Sequence, residues 1–416
     1  MSLSNIKMST KLVKKVGKYY IEYKNKVPNV DKLLKTGYQS ELPIDEITKA
    51  FLLLSLFKES ISKLLKLYEE AEKEKLKHRQ FAVKIDSVPY GPIDIPRTIL
   101  LRGKSAYAYY SFEEGTNAPE YAILLYLLDK AYNIISFTES KLGKEIQKID
   151  IRYFRNKFEK TVNKIKKLEN IIRKLRIQVK NEFFRPITHR DPDWLISAYE
   201  EYLKIKRISE IEIGIGSEKL KIEYKKQILL LLRWRLYEIY TFFLVAKLLE
   251  SKGYTIVFDK GEFLAYKGGK KLRLLFNSSI ESKSKLDGID DLSDVTQYMG
   301  RPDFSLDNSN LIIFECKYSS RVSYITASRF KIMAYAYEYD PLTVILVYPG
   351  LIENEAMDLE EMSTLKLNEI VNERGYVDIR FKNGKKLFML KINPLDDDNK
   401  NIKKIENILS SLNMQV

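Results

Sequence analysis

Cysteine and histidine are almost absent from this chain of 416 residues, which contains one cysteine, Cys316, and two histidines, His78 and His189. A single cysteine excludes an internal disulfide framework and a zinc site built from cysteines. It also favours a reducing, cytoplasmic location. The two histidines are far apart in the sequence, with no third ligand near either. We therefore expect both on the surface rather than in a zinc site or an acid–base pair.

The sequence also lacks the signals of several other classes of protein. The first seven residues contain no apolar core of a signal peptide. The most apolar segment, 228–249, is interrupted by charged residues, which are costly at the centre of a bilayer, so it predicts a buried helix and no membrane association. Residues 103–105 end like a phosphate-binding loop, but Thr98 stands where its first glycine is required. A nucleotide-hydrolysing activity is therefore not expected of this chain.

Positive charge, by contrast, is abundant. The chain has 71 Lys and Arg against 56 Asp and Glu, a formal net charge of +15. Such an excess suits a polyanionic partner such as nucleic acid. The segment 152–180 concentrates it, with eleven basic and two acidic residues on one amphipathic helix. These charges form either a solvated helix face or a surface that follows the phosphates of nucleic acid, with Lys164, Lys167 and Arg173 as candidates.

The length and the hydrophobic content of 45% predict two or three domains in a mixed α/β chain, α+β overall. We predict four regions: a helical region 1–80, an α+β region 81–200 with the long basic helix, which binds DNA or a partner, a mixed α/β domain 201–350, and a C-terminal extension 351–416 with a helix and a hairpin. The part before residue 201 is thus largely helical and contains a small β portion. A turn-rich break at 185–192 begins a loose boundary. Periodicity within the last two regions predicts helices at 220–252, 325–339 and 360–373, strands at 255–258, 312–318 and 342–348, and hairpin turns at 268–269 and 383–384.

A charged pair in an apolar strand is the main candidate for a catalytic centre. Because side chains alternate along a strand, Glu315 and Lys317 face one side and Cys316 faces the other. Charges in so apolar a strand are costly without a purpose, and Asp303, after Pro302, lies a short turn upstream. Asp303 and Glu315 would hold Mg²⁺, which prefers carboxylate oxygens, with Mn²⁺ as an alternative. Lys317 would position the attacking water or stabilise the transition state.

Glu238 is the expected fourth member of this centre. It lies in a helix that is otherwise too apolar for a surface, and a buried carboxylate requires a cation. A metal ion or Lys317 supplies that cation in one interpretation. In the other, Glu238 forms an ordinary salt bridge with Arg235 or Lys247. The same alternative, structural ion pairs without catalysis, applies to the set as a whole.

The arrangement resembles a known superfamily. The order of helix, strands, Pro-Asp, Glu-x-Lys, helix and strand is similar to the αβββαβ core of PD-(D/E)XK endonucleases, and more narrowly to the nuclease subunit of McrBC-type restriction systems. Residues 90–98 resemble the Gly-x-Ile-Asp-Trp…Thr signature of that subunit, with Ile95 in place of tryptophan. Residues 117–121 resemble its Asn-Thr-Pro-Glu-Asn signature, with Ala118 in place of threonine, and 331–335 its Lys-Met-x-x-Tyr helix. The resemblance covers roughly residues 81–350.

The resemblance implies Mg²⁺-dependent cleavage of DNA in restriction or defence, with Asp303, Glu315 and Lys317 catalytic and Glu238 auxiliary. Further candidates for contacting nucleic acid are Lys331, Tyr335 and Arg301, although the first two also fit an ordinary polar helix edge. A separate P-loop NTPase motor is the partner that the resemblance suggests, and self-association is a further expectation. A recombination or repair nuclease, an effector acting on RNA, and a DNA-binding protein that no longer cuts remain alternatives.

Overall fold

The computed structural model describes residues 3–27, 30, 33, 44–74, 76, 78–115, 118–149, 152–179, 185–210, 225–259, 262–288, 295–308, 310–352 and 355–412. Its helices are α1 (Leu3–Lys26), α2 (Ile44–Glu74), α3 (Ile95–Leu100), α4 (Pro119–Ile149), α5 (Arg152–Gln178), α6 (Asp193–Ser209), α7 (Lys225–Ser251), α8 (Val322–Glu338), α9 (Leu359–Arg374) and α10 (Asp398–Ser411). Its strands are β1 (His78–Asp86), β2 (Tyr107–Gly115), β3 (Thr255–Asp259), β4 (Glu262–Lys267), β5 (Lys270–Phe276), β6 (Phe304–Asp307), β7 (Leu311–Cys316), β8 (Thr343–Tyr348), β9 (Tyr376–Arg380) and β10 (Lys386–Lys391).

The chain forms two compact units. The first consists of residues 1–52 and 214–416, and the second of residues 53–213. Strands β9 and β10 join the same sheet as β3 to β8. The N-terminal helix α1 also belongs to the first unit, where Tyr23 stacks on Phe243 of α7 with ring centroids 5.1 Å apart.

The first unit is built on a mixed sheet of eight strands in the order β3-β4-β5-β6-β7-β8-β10-β9. Strands β3 to β7 are antiparallel to their neighbours. Strands β7, β8 and β10 are parallel, and β9 closes the sheet antiparallel to β10. The mixed α/β class expected from the sequence is therefore confirmed.

Both faces of this sheet are covered, which explains why β7 and β8 are apolar along their whole length. On one face, Ile313 and Leu346 pack in a core with Ile325 and Ile332 of α8. On the other face, Phe242 of α7 contacts an aromatic cluster edge-on, with ring centroids 5.4 to 6.0 Å from Phe263, Phe276 and Phe304. Parallel strands that are buried on both faces are expected to have continuous runs of apolar residues in their sequences.

The second unit combines the part of α2 from Leu53 onwards and helices α3 to α6 with the two-stranded sheet of β1 and β2. Within it, residues 90–98 form a compact turn: the Asp94 side chain accepts the Arg97 N–H at 3.1 Å and caps α3. Thr98 Oγ1 bonds both the N–H and the carbonyl of Ala108, at 2.9 and 3.1 Å. The segment that follows the turn-rich break at 185–192 folds as α6, an element not among those predicted from the sequence.

Helix α7, the segment whose composition raised the question of a membrane span, is largely buried in the first unit. Within the described parts of the chain, no helix is both long enough and apolar enough to cross a membrane.

Candidate metal-dependent active site

Two carboxylates face each other at one end of the central strands. Phe304 of β6 pairs with Phe314 of β7, and the next pair along this register consists of Asp303 and Glu315. The Cys316 N–H donates to Asp303 Oδ2 at 2.5 Å, which fixes one carboxylate oxygen. Asp303 is 7% exposed and Glu315 0%. The antiparallel register thus brings together two acidic residues that lie 12 positions apart in the sequence.

Two lysines supply the positive charge around these carboxylates. Lys317 Nζ lies 2.5 Å from Glu315 Oε1 and 3.7 Å from Asp303 Oδ2, so it contacts both acids. Lys331 Nζ, from α8, lies 2.7 Å from the same Glu315 Oε1. The Lys331 side chain is 48% exposed, against 15% for Lys317. Lys317 therefore belongs to the interior of the cluster, and Lys331 lies at its exposed side.

Glu238 approaches the same cluster from α7. Its Oε2 accepts from Arg235 Nη1 at 3.0 Å and from Asn277 Nδ2 at 3.4 Å. The salt bridge with Arg235, considered above as the alternative to a catalytic role, is therefore present, whereas Lys247 pairs with other carboxylates. Burial raises the pKa of Glu238, and the charges of Arg235 and Lys317 oppose that rise. Glu238 is therefore close enough to Lys317 and Glu315 for their charges to affect its ionisation.

The pKa shifts show that the carboxylates and Lys317 interact strongly. Burial, followed by the charges of Glu315 and Glu238, raises the pKa of Asp303 well above its usual value. Burial alone would lower the pKa of Lys317, but the charges of Asp303 and Glu315 raise it above its ordinary value. Three acids within mutual repulsion, offset by lysine, are the kind of arrangement that perturbs ionisation at functional sites.

The donor set suits a hard divalent cation. Among the described residues, no three Asp, Glu, His or Cys side chains already form a metal cage, and the lysines lie against the carboxylate oxygens. Glu315 Oε2, however, is buried and has no hydrogen-bond partner, and an unsatisfied buried carboxylate oxygen is unfavourable. Mg²⁺ prefers carboxylate oxygens and keeps several of its waters, so two or three acids suffice. Asp303, Glu315 and Glu238 therefore fit such an ion.

Cys316 does not belong to this charged cluster. Its side chain is buried, and alternation along β7 directs it to the face opposite Glu315. Burial, followed by the charge of Asp303, raises the pKa of its thiol well above the usual value. The thiol therefore stays protonated, which does not favour a role as a nucleophile.

The segment that carries Asp303 is held by α8. Both oxygens of Glu338 accept the Gly300 N–H, at 2.9 and 3.2 Å. The Tyr335 hydroxyl donates to the Arg301 carbonyl at 3.1 Å, and the Tyr339 hydroxyl donates to the Gly300 carbonyl. A Cβ on Gly300 would lie 2.5 Å from the Tyr335 ring, so only glycine allows this approach.

Tyr335, predicted from the sequence as a nucleic-acid contact, is 6% exposed and lies at the Asp303 segment. We expect Tyr335→Phe, which removes the hydroxyl that bonds the Arg301 carbonyl and interacts with Lys331, to lower the free energy of unfolding by about 1 kcal/mol. If the same energy is lost in positioning Asp303, the affinity for Mg²⁺ falls about fivefold. Urea unfolding and calorimetric titration with Mg²⁺ measure the two effects.

Tyr337→Phe is the matched control, because Tyr337 lies on the same helix and is 77% exposed. It should leave both quantities unchanged. Equal behaviour of the two variants would contradict a positioning role for Tyr335.

The residues predicted on the long basic helix lie on α5 in the second unit. Lys164 donates to the Ser62 hydroxyl, and Arg173 pairs with Glu169 at 2.5 Å. Lys157 on the same helix donates to Ser55 Oγ at 2.5 Å, and burial lowers its pKa to about 7. Lys167 is exposed. The pairing of Arg173 with Glu169 and the lowered pKa of Lys157 reduce the positive charge that this helix offers to a polyanion, whereas the hydrogen bond of Lys164 to a hydroxyl leaves its charge in place.

Two residues of the site were missed by the sequence reading. Asn277 has a positive φ of 48°, bonds Glu238, and donates its backbone N–H to the Asp303 carbonyl at 2.9 Å. Glu338 holds Gly300. No local pattern identifies either residue, although an asparagine directly after a strand is a weak signal for a left-handed turn. Of the two histidines, His189 is exposed as expected, and the side chain of His78 lies outside the described residues.

The first unit is thus a mixed α/β protein with a cluster of three acids and two lysines at the end of its central strands. No protein-family model matches the chain, and no curated protein matches it. Among solved structures, a half-complex of a tetradecameric assembly of Thermococcus gammatolerans McrB AAA+ hexamers with bound McrC is similar at a TM-score of 0.29. The sequence identity is 10%, with 95% of this chain and 76% of that chain covered. A TM-score so low carries no argument about shared fold or function.

Proposed function

We propose that the first unit is a metal-dependent endonuclease of the PD-(D/E)XK type that hydrolyses phosphodiester bonds of DNA. One observation carries the proposal: Lys317 Nζ contacts both Glu315 and Asp303, two buried carboxylates on adjacent strands. Charged groups buried in this way are costly unless they interact with one another or with a ligand. They lie at the end of the strands, beside Lys331, whose side chain is 48% exposed.

The order of elements supports this assignment. Helix α7 is followed first by the strands β3 and β4. The antiparallel strands β5, β6 and β7 come next, then α8, and then β8, which is parallel to β7. Apart from β3 and β4, the elements follow one another in the order of the αβββαβ core of PD-(D/E)XK endonucleases. The Pro-Asp dipeptide stands at the start of the second of these antiparallel strands, and the Glu-x-Lys triplet at the end of the third.

The residues divide into distinct roles. Asp303 and Glu315 would hold the cation, with Glu238 contributing from α7. A bound divalent cation polarises the phosphodiester and lowers the pKa of water at the site. Lys317 stays protonated at neutral pH and donates hydrogen bonds to the attacking water or to the phosphate oxygens as negative charge develops. Lys331, the more exposed lysine, would contact a neighbouring phosphate.

The narrower assignment, to a restriction nuclease that works with a separate P-loop NTPase, rests on the signatures at 90–98 and 117–121. The first of these has a structural basis, since Asp94 caps α3 and Thr98 bonds Ala108. In the second, Asn117 lies outside the described residues, and Pro119 and Glu120 begin α4. The substrate and the partner are therefore the parts of the proposal that need direct measurement.

The proposal is tested by incubating the full chain with supercoiled plasmid, linear duplex, single-stranded DNA and RNA, each with Mg²⁺, Mn²⁺ or EDTA. We expect cleavage of DNA with either metal and none in EDTA, because the carboxylates alone cannot activate water. Purified P-loop NTPase from a neighbouring reading frame is added in a parallel series. Cleavage that persists in EDTA, or cleavage of none of these substrates in either series, would refute the proposal.

A further inference from the structure

A second charged pocket lies in the first unit, where the end of β10 meets α9 and α10. It has a volume of about 340 Å³ and is lined by five cations, namely Arg374, Lys391, Lys400, Lys403 and Lys404. Glu373 and Asp396 are the acidic residues that also line it. The pocket therefore carries an excess of positive charge. Because it is concave, its positive electrostatic potential is focused, which favours binding of an anion.

Two of these lysines are held in place by the backbone and by polar neighbours. Lys404 Nζ donates to the Lys391 carbonyl at 3.0 Å and contacts Asp396 Oδ2 at 3.3 Å, while Lys391 Nζ donates to Asn372 Oδ1 at 2.7 Å. Their aliphatic stems pass close to two glycines. A Cβ added to Gly350 would lie 2.9 Å from Lys391 Cε. A Cβ added to Gly375 would lie 3.1 Å from the aliphatic part of Lys404. The pocket is thus a built feature and not a chance group of mobile side chains.

The remaining cations have no counter-charge. Within the described residues, Arg374, Lys400 and Lys403 form no ion pair. Lys404 forms an ion pair with Asp396. Lys400, Lys403 and Lys404 share one face of α10, and like charges at such spacing destabilise a helix. Burial lowers the pKa of Lys404, and the charges of Lys400 and Lys391 lower it further against the effect of Asp396. An anion in the pocket would relieve this repulsion.

The pocket lies at the same edge of the sheet as the candidate active site. Strands β7, β8 and β10 are parallel, so their carboxyl ends share one edge. Glu315 is near the end of β7, and Lys391 is the last residue of β10, two strands away. At about 4.8 Å between strands, this is a separation of roughly 10 Å across the sheet. About three nucleotides of one DNA strand, at about 3.4 Å each, span that distance.

We propose that this pocket binds backbone phosphates of the same DNA whose scissile phosphodiester reaches Asp303 and Glu315. The inference rests on the proposed function for its substrate, and it adds a subsite a few nucleotides from the cleaved bond. Arg374, Lys400 and Lys403 neutralise the phosphates, and the fixed Lys391 and Lys404 shape the pocket. The subsite carries no catalytic group, so it contributes to affinity and register and leaves the chemical step unchanged.

The test compares two double variants of the full chain. Lys400→Gln with Lys403→Gln removes two pocket charges, and Lys270→Gln with Lys271→Gln removes two exposed charges at the opposite end of the strands. Binding of a fluorescent 20-base-pair duplex is measured in EDTA across a salt series. The pocket variant should bind at least about tenfold more weakly near 0.1 M salt, and the slope of log K against log salt should fall by about 1.8. The control should stay within about twofold of the wild type.

Cleavage at saturating enzyme with Mg²⁺ separates this inference from the proposed function. The pocket variant should cut as fast as the wild type once the DNA is bound. If the wild type binds DNA and cuts nothing, the proposed function fails, while the binding comparison still decides the subsite. Equal weakening of both double variants would overturn the subsite, because it would show only a general loss of charge.

Lysine acetylation read by mass spectrometry provides a measurement without substitutions. The duplex should protect Lys400 and Lys403 of the wild type, and Lys270 should react as before. Inorganic phosphate and vesicles containing an anionic phospholipid are tested in separate arms. Protection by either of these and not by duplex would overturn the proposal in favour of a small-anion or lipid site.

Discussion

Replacing Glu315 with glutamine is expected to reduce DNA cleavage by at least about a thousandfold, because the variant loses a carboxylate that no other group can replace in holding the cation. Glu315 is fully buried, contacts Lys317 and Lys331, and has one oxygen without a hydrogen-bond partner. The amide keeps the shape of the side chain and removes its charge. Single-turnover cleavage of a plasmid with Mg²⁺ measures the loss.

The same variant separates metal binding from substrate binding. In the wild type, Mg²⁺ should raise the unfolding temperature, since a ligand that binds only the native state stabilises it by mass action. This increase should disappear in Glu315→Gln, while binding of duplex in EDTA persists. Glu369→Gln on the exposed side of α9 is the matched control. Cleavage by Glu315→Gln within about tenfold of the wild type would contradict the metal-ligand role.

Replacing Lys317 with methionine should reduce cleavage about a hundredfold to a thousandfold without weakening Mg²⁺ binding, because the lysine acts on the reacting groups. In the structure its ammonium lies against both carboxylates, so its removal frees their oxygens. Mg²⁺ affinity measured by calorimetry should therefore stay equal or rise. Methionine retains the unbranched shape that the partly buried position requires.

Lys382→Met, at an exposed position in the turn between β9 and β10, is the control for loss of one positive charge. It should cut and bind metal as the wild type does. If Lys317→Met instead lowers both the affinity for Mg²⁺ and the rate of cleavage to the same extent, the role of Lys317 is structural. It then only holds the carboxylates in place. The structural ion-pair interpretation of the cluster would then be the better one.

Much of this site follows from local rules. Strand alternation predicts that Glu315 and Lys317 share a face, and the structure places Lys317 Nζ 2.5 Å from Glu315. The short turn after β6 predicts a hairpin, and its register then brings Asp303 opposite Glu315. Both steps need only the period of a strand and the length of a turn.

The supporting residues could not be predicted in this way. Asn277 reaches Glu238 across 39 positions, and Glu338 reaches Gly300 across 38. Such contacts depend on how α7 and α8 pack on the sheet, which no short window of sequence encodes. The sequence offers a salt bridge with Arg235 as the alternative to a place for Glu238 in the acidic cluster. In the structure, Glu238 forms that salt bridge and also interacts with the charges of Lys317 and Glu315.

Helix α10 has a capping residue and an apolar face. Asp397 caps it by accepting the Asn399 N–H at 2.8 Å, and Ile405, Ile408 and Leu409 are buried at helical spacing. For 351–416 the periodicity predicts one helix, at 360–373, and a hairpin turn at 383–384, so α10 is an additional element. Tertiary packing against β10 decides the helix, as it does for most short amphipathic helices.

The first unit takes its residues from both sides of the second, and this affects the order in which the chain folds during synthesis. Helix α1 packs on α7 through Tyr19 and Tyr23, and Lys15 pairs with Asp398 of α10 at 2.6 Å. About 200 residues separate α1 from α7, which corresponds to on the order of 10 to 40 s of translation. The apolar face of α1 therefore leaves the ribosome long before its partners, whereas residues 53–213 can fold as one uninterrupted stretch.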